Sequence, residues 1–228
     1  MLIKNEIRNK ETLSNIMHLI NNGIDKFVVI MRHSDRYFSK NAAMEPFMGL
    51  TEKGKDYALN FGEELPLMPR PKFFSSYFGR CIETACIIDK GYSKKYGAFN
   101  GHNVLNPDLS PFYIKNIENA LKMVNEKGSP EFLRRWFNRD ISEKTMENPK
   151  ETADIISNFL KDRLGELNKE EIAICVSHDW NLFPLKEFKL GLKHEEYGAV
   201  GFLESLIVFE DKGSYYITNY QKEPVILT

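Results

Sequence analysis

Two stretches of the chain are apolar almost without interruption, Lys26 to Met31 and Ile172 to Val176. Each gives way at once to polar residues, Arg32-His33-Ser34-Asp35-Arg36 after the first and Ser177-His178-Asp179 after the second. A short β-rich run with no alternation is the pattern of a strand covered on both faces, as in a parallel sheet between layers of helix. Ahead of the first run, Thr12 to Asn22 places Ile16, Leu19 and Ile20 at helical spacing, with Gly23 as a stop. Thr51-Glu52-Lys53-Gly54 reads as an N-cap and first turn, continued by Ala58, Leu59 and Leu65 and ended by Pro66. Pro71 to Tyr77 is a further strand, and Arg80 to Asp89 has the length and spacing of a helix leaving it. A helix of about ten residues follows from Trp180. Ser205 to Phe209 and Tyr215 to Tyr220 flank Glu210-Asp211-Lys212-Gly213-Ser214, a hairpin pattern.

Strand, polar loop and helix thus recur three times. The expected fold is a three-layer α/β/α sandwich whose central sheet is mostly parallel with an antiparallel edge. No repeat or Gly/Ser linker divides the chain, so residues 1–228 are read as a single domain. Between Gly91 and Asn148 the pattern changes: Gly, Pro and Asn are frequent, and two helical pieces, about Ile117 to Asn125 and Pro130 to Phe137, have no strand between them. This segment, about 91–148, is read as a helical insertion over the sheet, where a lid would select substrate.

Composition narrows the chemistry. Of 228 residues, 31 are basic and 32 acidic, a net charge of -1, so no broad field is available for nucleic acid or a membrane surface. Phosphate chemistry would have to rest on a local cluster of cations. Cys81, Cys86 and Cys175 are too few and too unevenly spaced for a disulfide framework or a four-thiolate zinc site. The apolar runs are too short to span a bilayer, and Met1 to Glu6 break up with charge before a signal-peptide core can form, so a cytoplasmic protein is expected.

The polar residues at the three strand ends are Arg32, His33 and Arg36, then Arg80, then His178 and Asp179. A phosphate monoester is a dianion near neutral pH, and guanidinium forks match its oxygens. An imidazole among guanidiniums is held neutral and can attack phosphorus. His178-Asp179 read as a metal pair lacks further ligands, since His18, His102 and His194 have no supporting spacing, and no metal or cofactor is expected.

With these residues in place, the chain resembles the histidine phosphatase superfamily, which includes acid phosphatases, phytases and cofactor-dependent phosphoglycerate mutases. Val29-Ile30-Met31-Arg32-His33 is similar to the strand and Arg-His motif holding the nucleophile, and Leu50-Thr51-Glu52-Lys53-Gly54 to the Leu-Thr-x-x-Gly helix start. Ser75-Ser76-Tyr77-Phe78-Gly79-Arg80-Cys81-Ile82-Glu83-Thr84-Ala85 resembles the Ser-Ser-x-x-x-Arg-x-x-x-Thr-Ala segment, and Val176-Ser177-His178-Asp179 the second histidine motif. The resemblance implies a phosphohistidine on His33, with Arg32, Arg36, Arg80 and His178 gripping the phosphoryl oxygens and water releasing phosphate.

The general acid distinguishes the branches. The mutase branch uses Glu in a Leu-x-Glu pattern, and here the counterpart is Leu109-Ser110-Pro111. The acid phosphatase branch uses the Asp directly after the second His and has an extra Arg after the nucleophile, which Asp179 and Arg36 match. Asp179 must carry a proton when the ester oxygen leaves, which requires either a raised pKa or an acidic optimum. The expectation is a phosphatase closer to the acid phosphatase branch, acting on a small phosphorylated substrate. The alternatives are a mutase-like phosphotransferase, a phosphate-recognising regulatory protein with little turnover, and a metal hydrolase.

Two departures stand out: Ser34 replaces the family's Gly after the nucleophile, where a positive φ would be strained, and Phe38 stands where the acid branch has Pro. Asn181, at a helix start, is a candidate phosphate donor or a cap. Arg134, Arg135 and Arg139 in the insertion, with Lys40, either reach an anionic substrate or form a solvated face. Trp136 and Phe137 are expected to pack the insertion, and Thr84 to brace its helix.

Overall fold

The computed structural model describes residues 6–97, 100 and 103–228; His102, and residues 1–5 of the segment weighed as a signal peptide, lie outside them. Strands β1 (Phe27–Arg32), β2 (Arg70–Ser75), β3 (Asn103–Leu105) and β4 (Glu171–Ser177) run parallel. Strands β5 (Ser205–Asp211), β6 (Ser214–Asn219) and β7 (Lys222–Ile226) are antiparallel, each to its neighbour. Among the described residues they form one sheet in the order β3-β2-β4-β1-β5-β6-β7. All of β1 is buried, and its side chains alternate between two cores. Phe27, Val29 and Met31 pack with helices α1 (Asn9–Asn21), α2 (Glu52–Glu64) and α3 (Gly79–Tyr96). Val28 and Ile30 pack with α4 (Ile117–Lys127), α5 (Ser129–Phe137), α6 (Pro149–Glu166) and α7 (Asp179–Phe188). The three-layer α/β/α architecture is the one the hydrophobic pattern predicts. At the antiparallel edge, Lys212 and Gly213, both at positive φ, make the two-residue hairpin turn.

Three of the elements that depart from the sequence expectation lie between β2 and β4. α3 runs past Asp89 to Tyr96 and stops at Gly97, whose φ of 64° ends the helix. β3, three residues long, pairs with β2 at the sheet edge, so the segment that leaves the sheet begins after Leu105 rather than at Gly91. α6 has no counterpart in the hydrophobic reading. Its buried face mixes Thr152 and Ser157 with Ala153, Ile156, Leu160 and Leu164, and the two hydroxyls donate to the carbonyls of Asn148 and Ala153 one turn earlier. Polar residues satisfied in this way dilute the apolar period without weakening the packing.

The insertion is fastened by aromatic contacts. Trp136 is buried, stacks on Tyr113 at 5.1 Å and donates Nε1–H to the Glu147 carbonyl at 2.7 Å, while Phe132 stacks on Trp180 at 5.3 Å. No helix among the described residues is long and apolar enough to cross a membrane.

The sheet register aligns the strand ends. Arg32 pairs with Ser177 and Ser75 with Val176, so the residues after β1, β2 and β4 emerge at nearly one level, at the carboxyl edge of the parallel strands. Those residues are His33, Ser76 and His178.

Candidate active site

His33 continues the strand pairing by one step, its backbone N–H donating to the Ser177 carbonyl at 3.0 Å. Its Nδ1 lies 2.8 Å from the Ser34 carbonyl, which can only accept, so the proton sits on Nδ1. Nε2 is left as a lone-pair nitrogen, and Arg80 Nε donates to it at 3.1 Å. The second imidazole carries the opposite tautomer. Arg80 donates through a terminal nitrogen to His178 Nδ1 at 3.2 Å, so the His178 proton is on Nε2, directed at Ser76 Oγ at 2.9 Å. One guanidinium therefore bridges both rings, whose centroids are 5.7 Å apart.

Both histidines are buried and both titrate well below the usual imidazole value. Burial is the main cause for His33, reinforced by repulsion from Arg32, His178 and Arg80. Burial also leads for His178, followed by Arg80, Arg32 and Arg36. Near neutral pH His33 is an uncharged imidazole surrounded by cations.

Arg32 is the last residue of β1 and is buried. It donates to the Val200 carbonyl at 2.7 Å, faces the Phe202 ring at 4.1 Å and pairs with the Asp179 carboxylate at 3.2 Å. Its backbone is held by Glu204 and Leu203. The loop that supplies these contacts is tied down by a fully buried ion pair, Lys186 to Glu204 at 2.7 Å. Glu204 also accepts from the Gly201 N–H, and Lys186 also donates to Gln221. Sequence reasoning missed this pair: the partners are 18 residues apart and share no motif.

The loop after His33 is pinned to α2. Thr51 caps that helix by accepting from the Gly54 N–H, and its hydroxyl donates to Asp35. A Cβ on Gly54 would lie 2.0 Å from the Asp35 carbonyl oxygen, so the Leu-Thr-x-x-Gly segment needs glycine there for close approach. Ser34 is accommodated without a left-handed backbone; among the described residues the non-glycine positions with positive φ are Arg139, Glu170, Leu203 and Lys212. The Ser34 hydroxyl donates to the Gly54 carbonyl, and its N–H donates to Thr84 Oγ1, which in turn bonds the Arg80 carbonyl. Thr84 thus braces the loop as well as its helix. Cys81 is buried against His178, and burial pushes its thiol up to about 12, so it stays protonated.

The remaining cations sort into two groups. Arg36 reaches the same centre, since its charge acts on Arg32, Arg80 and His178. It is paired with Glu45 at 2.5 Å, on a 3-10 turn at Ala42–Phe47 whose Glu45 and Pro46 carbonyls also accept from Arg80. Arg134 pairs with Glu187 and Glu195, and Arg139 with Glu143, so these two insertion arginines are engaged by carboxylates.

Asn181 does not serve as a phosphate donor here: its Oδ1 accepts from Tyr113 and its Nδ2 donates to the Asp108 and Ser110 carbonyls. Full burial commits the amide to fastening the insertion. Leu109-Ser110-Pro111 lies beside the site, with Ser110 Oγ 3.0 Å from Ser76 Oγ, and it brings a hydroxyl and a proline where a carboxylate would be required. Among the described residues no group of three or more His, Cys, Asp or Glu is placed to hold a metal ion.

The sequence profile of the histidine phosphatase superfamily (branch 1) matches residues 28–192. That profile supports the superfamily and does not carry the closer placement with the acid phosphatases. No curated protein matches the chain. Among solved structures, a mycobacterial glucosyl-3-phosphoglycerate phosphatase is similar at 14% identity, covering 87% of this chain and 100% of its own, with a TM-score of 0.59. Bacillus stearothermophilus YhfR is similar at 18% identity over 86% of this chain and 97% of its own, TM-score 0.57. A phosphoglycerate mutase from Bacillus anthracis, at 18% identity, covers 86% of this chain and 93% of its own, TM-score 0.53. At these identities the likeness is one of fold.

Proposed function

The chain belongs to the histidine phosphatase superfamily, and we propose that within it the protein hydrolyses phosphomonoesters through a phosphohistidine on His33, with Asp179 as general acid. The observation that carries this reading is the His33 tautomer: Nδ1–H is held by the Ser34 carbonyl and the Nε2 lone pair is turned toward Arg80. On this reading the phosphoryl group sits among Arg32, Arg36, Arg80 and His178, which neutralise its charge as it transfers. Nε2 bonds to phosphorus while the ester oxygen departs with the proton of Asp179. Asp179, part-exposed and oriented by Arg32, then takes a proton from the water that attacks phosphohistidine, and inorganic phosphate leaves. No step calls for a metal. Three unpaired cysteines support a reducing, cytoplasmic setting.

Hydrolysis is favoured over transfer between sugar-acid phosphates because the Ser110-Pro111 segment supplies no carboxylate. Asp179→Asn is the test. Esters of poor leaving groups should slow by about 100-fold, and p-nitrophenyl phosphate, whose phenolate needs little protonation, by less than about tenfold. An equal loss on both would remove Asp179 as the acid, and product analysis with a bisphosphate primer would expose a mutase.

A further inference from the structure

Exposed aromatic residues are concentrated on the segments next to Arg36 and Arg80. Tyr37, Phe38, Phe47, Tyr77 and Tyr197 are the exposed aromatic side chains among the described residues, and four of the five belong to the segments that carry or touch Arg36 and Arg80. Phe47 is 75% exposed, Phe38 56%, Tyr37 55% and Tyr77 54%. Phe38 lies against the Arg36 guanidinium at 4.1 Å. Tyr37 gives Arg36 its carbonyl, Phe47 follows the Pro46 carbonyl that accepts from Arg80, and the Tyr77 N–H donates to Ser110 beside His178's partner Ser76. Behind them, Phe78 meets the His178 ring edge-on at 4.9 Å. Rings of this size held in water represent unused burial free energy, and on segments beside an anion site they offer faces that a ligand can cover.

The charges on these segments point the same way. Within residues 37–49 the only ionisable cation is Lys40, and Glu45 faces Arg36. On α2, Lys55 is paired with Glu52 and Glu83, and in the insertion Lys115 is paired with Glu147 and Arg134 and Arg139 with their own carboxylates. On these segments a second phosphate would find Lys40 and the Glu45 carboxylate, with Lys53 on α2 beside Asp35, whereas an uncharged ring would find the exposed Phe38, Phe47 and Tyr77 side chains. We propose that this site selects singly phosphorylated esters whose organic group is aromatic or apolar and uncharged, with Phe38, Phe47 and Tyr77 as the specificity-determining residues. The proposal rests on the hydrolase reading.

The test compares benzyl phosphate with glycerol 3-phosphate, both esters of aliphatic alcohols, so that leaving-group acidity does not decide the outcome, and adds fructose 1,6-bisphosphate as a doubly phosphorylated probe. Wild type should favour benzyl phosphate in kcat/KM by about tenfold or more over either polar ester, chiefly through KM. Phe38→Ala/Phe47→Ala and Tyr77→Ala, checked for native circular dichroism, should each lower the benzyl-to-glycerol ratio, the double variant to near unity. A wild-type preference for glycerol 3-phosphate or the bisphosphate, or a ratio unmoved by these variants, overturns the proposal while phosphate release leaves the hydrolase reading standing. Absence of phosphate release from every ester, together with no phosphoenzyme on His33, would bring down both.

Discussion

The floor and the rim of the candidate site are built in contrasting ways. On the floor, Arg32, His33 and His178 are all at most 4% exposed, and each is fixed by backbone or buried side-chain partners inherited from the ends of β1 and β4. On the rim, Arg36 is held by the Glu45 carboxylate from the turn at Ala42–Phe47 and by the Tyr37 carbonyl, and the neighbouring rings are exposed. The difference separates two tasks. The groups proposed for catalysis are preorganised before substrate arrives, so little reorganisation accompanies charge development. Recognition of the organic group is left to side chains whose surroundings change when it binds.

The largest effect should come from loosening the floor at a distance. Lys186→Met leaves Glu204 as a buried charge without its partner, which should cost about 3–5 kcal/mol of stability. It should also free the Val200–Glu204 loop that holds Arg32. Denaturant unfolding and kcat should fall together in this variant, and Lys186→Arg should recover part of each. Loss of stability with kcat intact would show that the pair supports the fold alone.

A milder probe of the floor is pH. The folded values of His33 and His178 lie well below the ordinary histidine value of about 6.5. Between those folded values and 6.5 the unfolded chain binds more protons than the folded one, so stability is highest above about 6.5 and falls as pH drops through that window. The melting temperature of wild type should decline below about pH 6.5, and His178→Asn should decline less steeply. Identical slopes would mean that the imidazoles are not held neutral by the fold.

The smallest effect is expected at the rim. The Arg36–Glu45 pair is partly exposed, and such pairs contribute up to about 1 kcal/mol. Glu45→Gln should release Arg36 to the substrate and lower KM by no more than about fivefold, with kcat little changed. A large fall in kcat would move Glu45 from the rim to the chemistry.

This contrast also explains what could be read from the chain. The floor was legible because buried parallel strands are unbroken apolar runs, so the abrupt polar residues at Arg32-His33 and His178-Asp179 mark the functional edge of the sheet. α6 was hidden by buried Thr152 and Ser157, β3 by its three-residue length, and β7 by Pro224 within an edge strand. Lys186 and Glu204 carry no local signature, since burial makes them partners only after β5 folds beside β1. Asn181 read equally as a phosphate donor or a cap, and only the insertion's Tyr113, Asp108 and Ser110 show where its amide is spent.

The central claim is that His33 Nε2 takes the phosphoryl group, and rapid denaturation during turnover of labelled substrate tests it directly. The expected result is covalent phosphate on His33, stable in alkali and lost in acid, and absent from His33→Ala together with hydrolysis. Turnover by His33→Ala at the wild-type rate, or wild-type turnover with no phosphohistidine formed, would contradict it.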